Sequence, residues 1–199
     1  MKISRYIKTI TVAVVFTVAA VSATLAQTTP SSDPKIEKKR GEIRKMAQDT
    51  LTRLYKAQPA AKPALEKGAG HAVFSNTGVK ILVGGSGKGQ GVAVNNKTKK
   101  EVFMNMREVQ AGLGVGVKKF SVIFIFDTEA ALNKFVNSGW EMGGQADAAA
   151  TAGEGKGAGL AGAVSVSDGV WMYQLTDKGV ALSITAKGTK YSKDDDLNK

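Results

Sequence analysis

The chain has 199 residues, no cysteine, one histidine and a formal charge of +11 from 28 basic and 17 acidic side chains. Without cysteine there is no disulfide scaffold, no thiol nucleophile and no zinc–thiolate site; with one histidine, no metal and no cofactor is expected. A surface this basic attracts anionic lipid, acidic polymers or nucleic acid.

The first residues read as an export signal. Lys2, Arg5 and Lys8 form a positive start, Ile10 to Val21 is an uncharged apolar run, and Thr24 before Ala26 gives the small-x-small pattern of a cleavage site. The alternative is an uncleaved anchor, but the run is shorter than the about 20 apolar residues that span a bilayer. A cut after Ala26 leaves 173 residues, enough for one domain, and removes three of the 28 basic and none of the 17 acidic side chains, leaving +8. The expected location is periplasmic or secreted, which makes nucleic acid the least fitting partner.

Residues 27–33 read as a flexible linker. Ser32 or Asp33 then caps a helix with Pro34 at its first position. Over 34–57, Ile36, Ile43, Ala47, Leu51 and Leu54 share one face, and Lys35, Lys38, Lys39, Lys45, Arg53 and Lys56 gather on another. Arg40 falls at the edge of the apolar face, where it can snorkel to a phosphate or to water. Pro59 and Pro63 interrupt the helix, and a short turn runs to Lys67, closing a helical segment over 34–67.

From Gly68 the texture is that of short strands punctuated by Gly, Asn and Thr. Runs at 71–75, 79–83, 91–94 and 101–104 are followed by a hairpin pairing 109–117 with 119–126. In that hairpin Val122 to Phe126 is continuously apolar, as in a strand buried on both faces. Asp127 or Thr128 caps a second helix through Val136. Further strands fit 144–152, 158–167, 170–175 and 180–186, and residues 192–199 read as a frayed polar tail. The expected fold is α+β and β-rich: a curved antiparallel sheet or barrel-like sandwich over 68–191, covered by the amino-terminal helix and the Thr128 helix. Its expected core includes Phe74, Leu82, Val92, Phe103, Val122, Phe124, Phe126, Leu132, Phe135 and Trp171.

Catalytic signatures fail one by one. A P-loop needs Ser or Thr after Lys88, where Gly89 stands, and glycine where Leu82 stands. No strand–glycine–helix unit supports a dinucleotide site, and no Gly-x-Ser-x-Gly elbow offers a nucleophile. His71 reads as a structural residue at a strand start, and Asp194 to Asp196 lacks the glycine and glutamate of a calcium loop. No enzyme is expected. The glycines recur at period two: Gly85, Gly87, Gly89 and Gly91; Gly112, Gly114 and Gly116; Gly153, Gly155, Gly157 and Gly159. Each set lies on one strand face, expected either to receive the amino-terminal helix or to line a lipid or ligand groove. The first and third sets also echo each other in sequence, as coincidence or as a duplicated hairpin.

From about Gly68 to Asn198 the chain resembles the SYLF lipid-binding domain, also described as the yeast actin-bundling family. The likeness rests on an ordered set of segments: His71 to Ser75, with Ser75 where the family usually has proline; the glycine-rich Val83 to Val92; Gln110 to Val117; Leu132 with Phe135; Met142 to Gly157; Tyr173 to Gly179; Ser183 to Gly188; and Asp196 to Asn198. The resemblance implies lipid binding, to phosphoinositides in eukaryotic members, actin binding in yeast, and no enzymatic activity. The expected function is therefore binding of an anionic lipid headgroup, with Lys35, Lys38, Lys39, Arg40, Lys45, Arg53 and Lys56 as the binding residues. Ile36, Ile43, Leu51 and Leu54 either enter the lipid boundary or pack on the sheet. A protein- or acidic-polymer-binding module is the alternative, and a hydrolase comes third.

Overall fold

The computed structural model of the chain describes residues 33–81, 84–111, 116–142, 162–177, 179–181 and 188–199. The expected core residue Leu82, the glycines Gly112, Gly114, Gly153, Gly155, Gly157 and Gly159, and the strand expected over 144–152 lie outside them.

Helix α1 (Pro34–Ala57) starts where expected: the Asp33 carboxylate accepts the Lys35 backbone N–H at 2.8 Å and Pro34 occupies the first turn. It stops where Gln58 N–H returns to Leu54 O, just before Pro59. The stripe Ile43, Ala47, Thr50 and Leu54 is buried. Helix α2 (Ala61–Lys67) seats Ala61 and Leu65. Its end is held by Asn96, whose Nδ2 donates to Leu65 O and Gly68 O at 2.6 and 2.8 Å while its Oδ1 meets His71 Nδ1 at 2.9 Å. His71 is thus a half-buried structural residue one position into a strand, its pKa lowered chiefly by desolvation.

Nine described strands form one antiparallel sheet: β1 (Gly70–Ile81), β2 (Gly84–Asn95), β3 (Glu101–Ala111), β4 (Gly116–Phe126), β5 (Trp140–Met142), β6 (Val164–Ser167), β7 (Val170–Thr176), β8 (Gly179–Ala181) and β9 (Thr189–Lys193). Their order is β5-β9-β3-β2-β1-β4-β7-β6, with β8 also on β7. The sheet is curled and open, as the α+β reading expected, rather than a sandwich of two sheets. Helix α3 (Glu129–Ser138), capped by Thr128 Oγ1 on Ala131 N–H at 3.2 Å, lies against one face. Strand alternation divides the core in two. Phe74, Phe124, Phe126, Phe135, Tyr191 and Trp140 pack with Met104, Met106 and Met172 on the α3 face, with ring centroids 4.8 Å apart for Phe74–Tyr191 and 5.0 Å for Phe126–Phe135. Val73, Val92, Phe103, Ile123, Ile125 and Tyr173 meet α1 and α2 on the other. Ser121 to Phe126 are all buried because β4 contributes to both cores.

Four expectations are corrected. The runs at 71–75 and 79–81 belong to one strand, β1, and 101–104 and 109–111 to another, β3; the expected hairpin of 109–117 with 119–126 does not form, because β3 pairs with β2 and β9 while β4 pairs with β1 and β7. Trp171 is only half-buried, its indole N–H reaching Asp127 Oδ2 at 3.0 Å. The glycine face of β2 does not receive α1. A Cβ at Gly91 would stand 2.4 Å from Phe74 Cδ1, and one at Gly87 2.8 Å from Asn76 Nδ2, both on the opposite, α3 side of the sheet. The glycines there leave room for an aromatic ring and for the buried Asn76–Glu108 pair, in which Asn76 Nδ2 donates to the carboxylate. Gly85 and Gly116 flank Lys80 in the register.

The fourth correction concerns residues 192–199. Strand β9 is followed by a 3-10 turn over Asp196–Asn198, and Leu197 is 2% exposed. Asp194 is buried and caps the turn through Leu197 N–H at 3.1 Å. Asn198 imitates a strand neighbour: its Oδ1 accepts Phe103 N–H at 3.0 Å and its Nδ2 donates to Phe103 O at 2.7 Å and Asp194 O at 2.6 Å.

Candidate functional site

The amino-terminal half of α1 runs over β1, β2 and β3 and leaves a groove of ≈ 740 Å³ beside it. The helix supplies Lys35, Lys38 and Lys39, spaced three and four residues apart as one helix edge requires. The sheet supplies Lys88 from β2 and Arg107 from β3, which are direct cross-strand partners. Five cations therefore face the groove against one carboxylate, Glu42. Its floor combines Ile43 and Met46 with a polar row, Ser75, Gln90 and Asn105, that the register places side by side. All five cations are exposed, and among the described residues none of them is in an ion pair. The arrangement attracts and orients an anion. It holds no nucleophile–base pair, and among the described residues no group of side chains forms a metal site.

The other cations expected in the site are placed elsewhere. Arg40 is 14% exposed and commits its guanidinium to Leu197 O at 2.9 Å, Lys199 O at 2.7 Å and Glu37. It also packs over Phe103 at 5.7 Å. Lys45 pairs with Asp49 at 2.9 Å. Arg53 donates to Thr176 O at 2.9 Å and shares with Lys56 a separate depression near β7 and β8. The apolar face of α1 is packed on the sheet: Ile43 and Leu54 are buried, and Ile36 and Leu51 lie against the same cluster.

Sequence reasoning missed Lys88 and Arg107. The signal was present: between the glycines of β2 stand Ser86, Lys88, Gln90 and Val92, whose alternation puts the lysine on the face opposite the glycines.

Residues 107–199 match the model of the family described as Las17-binding protein actin regulator. Over 171 residues the chain is 34% identical to Beta cell expansion factor A of Aeromonas veronii, a stretch covering 84% of this chain and 62% of that protein. The chain thus spans less than two thirds of the length of that relative. The family is one of interaction domains rather than enzymes. Over residues 107–199 the chain thus matches the Ysc84 family, described as Las17-binding actin regulators, which is the SYLF family its sequence resembles.

Proposed function

We propose that this is a non-catalytic module of an exported chain, and that it docks on anionic lipid headgroups through the groove between α1 and β1–β3. The observation that carries the reading is the meeting of three helix lysines with Lys88 and Arg107 around one carboxylate. A Lys or Arg near an anionic surface contributes about 1 kcal/mol, so the groove supplies about 4 kcal/mol of salt-sensitive attraction. The positive start and apolar run of residues 2–21 support export.

The test is co-sedimentation with phosphatidylglycerol vesicles against neutral ones. Reversing Lys38 and Lys39 together (Lys38→Glu, Lys39→Glu) removes two positive charges and adds two negative ones, about 4 kcal/mol of attraction, a loss of about 1,000-fold in affinity. Lys45→Glu, outside the groove, leaves binding near its original level. Absence of vesicle binding, or an equal loss from Lys45→Glu, refutes the reading. The family's description favours a second reading, an acidic protein partner in the same groove; binding to such a partner would be salt-sensitive and indifferent to vesicles.

A further inference from the structure

The groove is one end of a longer feature. At the level of Lys88 the register runs straight across five strands: Lys119 on β4, Thr77 on β1, Lys88 on β2, Arg107 on β3 and Lys190 on β9. Alternation puts these positions on the α1 face, since Ile123, Val92 and Phe103, at even spacing along the same strands, pack in that core. Four of the five are cations and all four are exposed. Lys190 lies 3.9 Å from Glu141; among the described residues the other three have no ion pair. Like charges placed directly opposite on neighbouring strands oppose sheet formation, and here Lys88, Arg107 and Lys190 are consecutive cross-strand partners.

Two properties of this ladder say what fits it. Its length, four strand spacings of about 4.8 Å or about 19 Å in all, exceeds a single headgroup. The neighbouring cations on β2, β3 and β9 stand one strand spacing apart, close to the length of one sugar residue. The adjoining row is amide and hydroxyl: Ser192, Asn105, Gln90, Ser75 and Ser121 are cross-strand neighbours. Such side chains donate to and accept from hydroxyl groups, which neither an acyl chain nor a bare phosphate chain provides. Lys35, Lys38 and Lys39 form a second cationic wall facing the groove, so acidic groups projecting to both sides of one strand of polymer are met.

We infer that the groove and ladder bind a linear acidic polysaccharide, a polyuronate-type chain lying across the strands with its carboxylates on the cations and its hydroxyls on the Ser75–Gln90–Asn105 row. The inference rests, like the reading above, on the groove being an anion site, but not on the anion being a lipid.

The test titrates the intact protein into fluorescently labelled oligogalacturonate of two and eight residues, with polyphosphate of matched charge and phosphatidylglycerol vesicles in parallel. The octamer is expected to bind at least tenfold tighter than the dimer, because a dimer covers only about 10 Å, or two strand spacings, of the ladder. Lys88→Glu with Arg107→Glu weakens it at least tenfold, with the circular dichroism spectrum unchanged. Gln90→Ala with Asn105→Ala weakens the octamer several-fold and leaves polyphosphate alone. Equal affinity for polyphosphate and octamer, with no effect of the floor substitutions, overturns the inference in favour of a site that reads charge only. Vesicle binding without octamer binding overturns it while supporting the lipid reading; octamer binding without vesicle binding does the reverse. The comparison of octamer with polyphosphate of matched charge needs no variant and decides the matter even if a substituted protein fails to fold.

Discussion

Asn198→Ala should destabilise the domain out of proportion to its place near the end of the sequence. Asn198 makes three hydrogen bonds, two to the backbone of Phe103 and one to Asp194 O. Phe103 O keeps a partner, because Asp194 N–H also reaches it at 3.0 Å. Phe103 N–H does not: β9 pairs with β3 only from Met104 to Glu108, and Phe103 is buried. Stranding one buried N–H costs about 1–3 kcal/mol, and each remaining bond contributes about 1 kcal/mol net. The expected loss is about 3 kcal/mol, or a fall in Tm of about 6–12 °C for a domain of this size, read by circular dichroism melting. Arg40→Ala should cost less, about 1 kcal/mol, because the carbonyls it releases at Leu197 and Lys199 can turn to water. A Tm shift under about 2 °C for Asn198→Ala, or a larger effect from Arg40→Ala, would refute this account of the clasp.

Two glycines make opposite predictions. Gly41 is exposed in the middle of α1 with nothing within 4 Å of an added Cβ, so Gly41→Ala should stabilise the protein by about 1 kcal/mol through helix propensity alone. In Gly91→Ala the new methyl would sit 2.2 Å from Val73 O and 2.4 Å from the Phe74 ring; a loss of about 3 kcal/mol or more in urea denaturation is expected. His71 predicts a pH dependence. Its folded pKa lies below the ordinary 6.5 because burial disfavours the imidazolium, so the unfolded chain binds the proton more readily. Stability should be fully present above about pH 6.5 and fall as pH drops from there toward the lowered folded pKa. His71→Gln should flatten that slope when urea midpoints are compared at several pH values.

Helix α1 was legible because its signals are local: Asp33 and Pro34 at the start, a 3.6-residue apolar stripe, and Pro59 beyond the end. The Val122 to Phe126 strand was legible because burial on both faces leaves a continuous apolar run. The continuity of β1 was not. Ser75, Asn76, Thr77 and Gly78 carry the composition of a turn, yet they pair residue by residue with β2, and the polar Asn76 is accommodated by a buried carboxylate on β3. Nor was the clasp, whose partners Phe103 and Asn198 stand 95 residues apart. The same distinction divides the candidate site. The lysines of α1 share one helix edge and can be read from their spacing, whereas Lys88, Arg107, Lys119 and Lys190 lie on four strands and line up only once the register is known.

The single sheet serves as a common wall between two cores, and each side carries its own tryptophan. Trp140 stands among the rings of the α3 side, 5.4 Å from Phe124 and 6.4 Å from Tyr191. Trp171 packs against the α1 side with its indole N–H on a carboxylate. The protein thus has two built-in fluorophores and no others of that kind, one reporting from an aromatic interior and one from a half-wet, polar edge. Their emission maxima are expected to differ, so replacing either with phenylalanine isolates the optical signal of one layer. Loss of order on the two sides of the wall can then be timed separately in a single stopped-flow experiment.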